Sequence, residues 1–283
     1  MITFPDSRGP RRRRPPLALL LQPLMLVTVL LAAPSLQATP APAPWTTLLQ
    51  RCVMDTRDGH STVVDYDCFA HARDKLAAYL ASLGEVNETE FEQWSREARL
   101  AFLINAYNAW TVELILTEWP DLDSIRDLGS LLRSPWKKSF IPLFGDTVSL
   151  DDIEHGMIRA RGRYDDPRIH FAVNCASVGC PALRREAYSA ERLDAQLEEQ
   201  TTSFLADRSR NRMENGTLAL SPLFDWYQED FERNWRGSGG RRGFLARYAG
   251  ALGLDAAQTR QLLQGELRLD YLPYDWSLNA AGR

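Results

Sequence analysis

The sequence predicts an α+β fold, mainly helical, in a single domain with a small antiparallel sheet. Three observations predict it: apolar residues recur at helical spacing over long stretches, a few short runs alternate, and the strand and helix signals do not take turns as in a doubly wound parallel sheet.

The chain opens with Arg11 to Arg14 ahead of an uncharged apolar run, Leu17 to Ala33. This is the layout of a secretory signal peptide, expected over residues 1–38. Pro23 and Pro34 disturb a membrane-spanning helix, and the small residue Ala38 offers a cleavage point before a Pro/Ala linker over 39–44. The arginines lack the full twin-arginine pattern, which favours the general secretory route. A periplasmic or secreted product is expected, with no stable membrane insertion after cleavage and one globular domain over 45–283. The whole chain has 33 basic and 37 acidic residues; Arg8, Arg11 to Arg14 and Asp6 leave with the leader, so the remainder carries 28 against 36. That acidic balance argues against nucleic acid as a partner.

Taken in order, Asp67 to Leu83 has apolar residues at helical spacing and stops at Gly84. Asn87 with Glu90 forms a capping pair for the next helix. Arg99 to Trp119 is the most apolar helix, stopped by Pro120. Lys138 to Leu143 and Thr147 to Leu150 form a hairpin about Gly145-Asp146. Ser149 caps a helix to about Arg161, and Arg168 to Asn174 alternates as a strand. Ser189 to Ala206 is an amphipathic helix and Thr217 to Leu220 a strand. Two or three helices fill Pro222 to Gln264, the Gly237 to Gly243 stretch forms a surface loop, and Glu266 to Leu272 is the last strand.

Three groups of residues could carry chemistry. Asn105, Asn108 and Thr111 form a row inside the apolar helix, where buried amides need partners. They either fix a neighbouring loop or wall a pocket. In Ser149 to His155, Glu154 projects toward the inner face beside Leu150 and Ile153, while His155 lies at the edge of that face. The alternative is a salt-bridged Glu154, to Arg159 or Arg168, with a surface His155. In Ile169 to Pro181, an apolar run leads into small residues from Cys175 onward, as a thiol nucleophile with close backbone donors would need. His155 is the expected base, because alternation turns His170 away from Cys175. The alternative is a local Cys175–Cys180 disulfide. Cys52 and Cys68 flank a polar turn at Asp58-Gly59 and are expected to form a disulfide. No phosphate loop, metal-type histidine or cysteine spacing, or serine elbow occurs, so neither cofactor nor metal is expected.

Leu103 to Ala109, Pro135-Trp136, Ser149 to His155 with Arg159, His170 to Pro181, Trp226-Tyr227 with Asp230-Phe231, and Tyr274 to Trp276 resemble, in order, the motifs of the domain of unknown function 547 family. The resemblance spans roughly 90–276. It implies parts like those of a cysteine hydrolase in a permuted papain-like core, with thiol or glutathione chemistry suggested by the glutaredoxin-like modules joined to similar domains. Plant members carry serine at the place of Cys180, which implies that the fold does not require a Cys175–Cys180 bridge. On this reading the chain is a thiol-dependent hydrolase or transferase for small peptides such as glutathione, with Cys175 as nucleophile, His155 as base, and Asn108 and Glu154 in support. Asn105, Tyr107, His170, Asn174 and Trp226 would hold the substrate. The other reading is a non-catalytic thiol or peptide binding module with structural cysteines.

Overall fold

A computed structural model describes residues 39–130 and 133–282 of the chain. The expected signal peptide lies outside them. The first helix, α1 (Ala43–Cys52), opens with Pro44 near its start, where the missing N–H costs nothing. It begins inside the stretch expected as a linker. A short antiparallel pair follows, β1 (Val53–Asp55) with β2 (Thr62–Val64). Helices α2 (Tyr66–His71) and α3 (Arg73–Gly84) replace the single helix expected over Asp67 to Leu83, the break falling at Ala72. Asp65 caps α2 by accepting from Cys68 N. Cys68 and Cys52 are joined, S–S 2.02 Å, which ties the end of α1 to α2. Asn87 caps α4 (Glu88–Gln93), accepting from Glu90 N at 2.8 Å.

The axis of the domain is α5 (Arg96–Leu116), in which every residue from Leu100 to Val112 is buried. It starts earlier than periodicity indicates because Ser95 accepts from Ala98 N and caps it. The hairpin β3 (Ile141–Leu143) with β4 (Asp146–Val148) turns at Phe144-Gly145, whose φ of 55° and 84° match the hairpin turn that needs two positive angles. The expected turn sits one residue later.

Two segments near the site depart from expectation. After Ser149 and Asp152 bind each other's backbone and side chains, residues 152–158 form a π-helix, with Arg159 N bonded to Glu154 O at 2.8 Å. Residues 167–171 form a 3-10 helix and not a strand. Pro167 supplies a helix-compatible φ and Asp166 accepts from Arg168 N, so local capping outweighs alternation.

The helix α6 (Leu193–Ala206) leads to β5 (Arg212–Glu214) and β6 (Thr217–Leu220). Five short helices follow where two or three were expected: α7 (Leu223–Trp226), α8 (Gln228–Phe231), α9 (Arg241–Arg247), α10 (Ala249–Leu252) and α11 (Ala256–Gln264). Arg241 and Arg242, expected in a loop, open α9. The last strand, β7 (Arg268–Tyr271), returns parallel to β6, which in turn pairs antiparallel with β5. A parallel partner requires a long crossover, and the five helices are that crossover. The fold is therefore a mainly helical α+β domain with small sheets.

Apolar side chains gather in two clusters, one around α1 to α5 and one around α6 to α11. The 3-10 segment joins them, since Ile169 and Ala172 belong to the first and Phe171 to the second. The motif residues converge at this seam.

Candidate functional site

The loop Cys175 to Cys180 is closed by a disulfide, S–S 1.93 Å. Cys175 is half-buried and Cys180 is buried. The Tyr274 hydroxyl stands 3.2 Å from each sulfur, and Cys175 N donates to Cys180 Sγ at 3.0 Å. Burial, followed by the charges of Glu154 and Asp275, pushes the Tyr274 hydroxyl upward in pKa, so it stays a proton donor.

The loop is braced on all sides. Asn108 donates to Ala172 O at 2.9 Å and accepts from Asn174 N at 2.8 Å. Asn174 in turn accepts from Ala176 N and donates to Pro181 O. Val178 N and Gly179 N donate to Ser277 O and Asp275 O of the last segment. A Cβ on Gly179 would lie 2.9 Å from the Tyr274 ring, so only glycine lets that ring reach the sulfurs. Asn105 acts on another loop, pairing with both backbone groups of Tyr188.

Beside the loop lies a buried polar chain. Glu154, 6% exposed, accepts from Tyr227 Oη at 2.8 Å and acts on the buried Tyr107 hydroxyl by charge and hydrogen bond. Among the described residues no cation forms an ion pair with this carboxylate, which neutral phenols hold instead. The Tyr227 ring stacks on His170 at 4.0 Å, and Arg159 lies over it at 4.6 Å. His170 Nε2 donates to Asp230 Oδ2 at 2.8 Å, and Asp230 also accepts from Arg159 and Arg233. Burial opposes the charge on Asp230, yet the bonds from His170 and Arg159 prevail and hold it at about 2. Burial also lowers the pKa of His170, against the pull of Asp230, so its ring is neutral.

On the outer side, Trp226, Trp276, Tyr274 and Trp136 form an aromatic ledge. Trp226 stacks on Trp276 at 5.7 Å and 20°, and lies 4.8 Å from Tyr274. Trp136 meets Trp276 edge-on at 5.9 Å.

Residues 91–205 match the family model described as "Protein of unknown function, DUF547". That stretch is a DUF547 domain. No curated protein and no solved structure matched the chain. The blocks on which the DUF547 resemblance rests, scattered over the chain, meet in the cluster just described.

The structure brings together Glu154, Tyr107, His170, Asn108, Asn174, Cys175 and Trp226 of the residues expected at a site. His155 is not among them. It is 42% exposed, and its ring bonds to Arg159 and approaches Asp151. The expected Cys175–His155 pair therefore has two faults: the sulfur is oxidised, and its hydrogen-bond neighbour is a phenol and not an imidazole. The physical reason is that His155 lies on the outer edge of its helix, where solvent and Arg159 take up its ring, while Glu154 faces inward. Asn108 braces backbone, and Asn105 lies at the Tyr188 loop instead of the sulfurs. Glu154 bonds neither Arg159, which holds Asp230, nor Arg168, which holds Asp166, Asp194 and Glu198. Residue-level reasoning missed Tyr227, Asp230 and Tyr274. Their signal lay in the Trp226 to Phe231 and Tyr274 to Trp276 blocks of the DUF547 resemblance, where polar residues sit among aromatics.

Proposed function

We propose that the chain is an exported protein whose Cys175–Cys180 pair exchanges disulfides with a thiol-bearing peptide of the size class of glutathione. The observation that carries this is the Tyr274 hydroxyl 3.2 Å from both sulfurs, with Cys180 also receiving the Cys175 N–H. An incoming thiolate attacks the more accessible sulfur, Cys175, forming a mixed disulfide and breaking the Cys175–Cys180 bond. Cys180 leaves as thiolate, stabilised by the two donors already in place. Return of Cys180 expels the peptide thiolate; attack by a second peptide thiolate on the peptide sulfur of the mixed disulfide expels Cys175 as thiolate, leaving an oxidised peptide and a reduced pair. Electrons balance, since the peptide thiols lose the two that the pair gains.

Hydrolysis with Cys175 as nucleophile and His155 as base has less support, because no imidazole hydrogen-bonds the Cys175 sulfur among the described residues. The binding-module alternative is favoured by the bracing of the loop, which suits a static bridge. Exchange applies to chains with both cysteines, since a relative with serine in place of Cys180 could not close the bond.

The test is to mix the oxidised protein with a cysteine-containing peptide, quench with acid and map mixed disulfides by mass spectrometry. Exchange predicts an adduct on Cys175 and a rate about tenfold lower in Tyr274→Phe, the loss of one hydrogen bond to a charged sulfur. A pair that forms no adduct in either protein, while Cys180→Ser captures peptide no faster than an ordinary thiol, leaves the binding-module reading in its place.

A further inference from the structure

Trp226 is the exposed member of the aromatic ledge, 47% exposed although its ring is stacked from behind by Trp276 and Tyr274. A large apolar face kept open and rigid by neighbouring rings is a prepared contact surface. Its surroundings select the contact. The Asp225 carboxylate, next to Trp226, is exposed and has no hydrogen-bond or ion-pair partner among the described residues. Asp275, between Tyr274 and Trp276, is exposed, and among the described residues its carboxylate accepts from Ser277 N alone. Arg210 attracts Asp275 but is already engaged by Asp207 and by Val178 O, and Arg126 covers the Trp276 ring. The open ring and the exposed carboxylates suit a cation on an apolar stem.

We propose that this ledge docks a basic segment of the peptide substrate, with a lysine or arginine over Trp226 and its charge toward Asp225 and Asp275. The proposal rests on the exchange reading for what the docked peptide does next, and it narrows the peptide class. Tyr274 links the two sites, touching Trp226 with its ring and the sulfurs with its hydroxyl. A peptide seated on Trp226 is one ring away from Cys175. A thiol peptide with net negative charge, as glutathione has, gains nothing from the carboxylates.

Docking is measured on the full chain carrying Cys175→Ser and Cys180→Ser, so that exchange cannot contribute. Tryptophan fluorescence is titrated with three probes: a blocked hexapeptide of alternating lysine and glycine, its glutamate counterpart, and a chito-oligosaccharide. The lysine peptide is expected to bind, about fivefold more weakly in Trp226→Ala and in Asp225→Asn with Asp275→Asn, and more weakly still with added salt. Unchanged circular dichroism in those surface variants keeps the comparison clean. Equal binding of the lysine and glutamate peptides overturns the proposal, as does binding of the sugar alone, which would make the ledge a saccharide platform. Selective lysine-peptide binding with no exchange in the parent keeps the docking site and removes only the exchange reading.

Discussion

The two disulfides are the same bond in two unlike settings. Cys52 is fully buried, Cys68 packs against the core, and their bridge closes a separation of 16 residues between consecutive helices. Cys175–Cys180 spans a separation of 5, has one half-exposed sulfur and is touched by a phenol and a backbone N–H. A bridge that only restrains the chain needs no polar neighbours. One that opens needs donors where thiolate charge develops, and among the described residues the second has them and the first does not.

The comparison breaks or holds first on stability. Cys52→Ser with Cys68→Ser should cost about 3 kcal/mol by loss of a long-loop restraint, lowering Tm by roughly 6–12 °C in calorimetry. The same change at Cys175 and Cys180 should cost less, about 2 kcal/mol, because the closed loop is shorter. Equal losses would mean that both bridges are structural.

Acid should act on one side only. Asp230 is held at about 2, below the ordinary aspartate value, so the folded state binds fewer protons than the unfolded one and stability falls as pH falls from about 4 toward 2. The lowered pKa of His170 has the same sign and begins at higher pH, from about 6.5 downward. Together they should remove about 2 kcal/mol or more by pH 2, and Asp230→Asn should flatten the profile. Hydrogen exchange should show the loss around residues 167–181 before the Cys52–Cys68 corner; simultaneous loss would unite the two regions.

The smallest effect expected is that of Asn108→Leu, about 1–2 kcal/mol by urea unfolding, since it orphans Ala172 O and Asn174 N while adding apolar volume. It should also speed reduction of Cys175–Cys180 by a small thiol without changing Cys52–Cys68. An unchanged reduction rate would separate the brace from the bridge.

The parts legible in the sequence were those governed by local rules. The α5 core, the Asn87 cap, the β6 strand and the Cys52–Cys68 pairing each follow from periodicity, capping or spacing within a short window. The 150–181 region was less so, for a physical reason: helical periodicity of 3.6 fails in the π-helix, and alternation fails where Pro167 and Asp166 set up a 3-10 turn. Glu154 pointed inward as its helical position indicated, but its partner Tyr227 lies 73 residues away and no local rule could supply it. Tyr274, 99 residues from Cys175, was equally out of reach.

The matched stretch ends at 205, while Tyr227, Asp230, Tyr274 and Trp276 all follow it. Modularity is therefore narrower than the match. A segment cut at 205 and moved into another protein would carry Glu154, Tyr107, His170, Cys175 and Cys180, but neither the Tyr227 and Tyr274 phenols nor the Asp230 carboxylate that bind them. Because β7 pairs with β6 and the 274–279 strap holds the disulfide loop, the site is complete only with this distant tail attached.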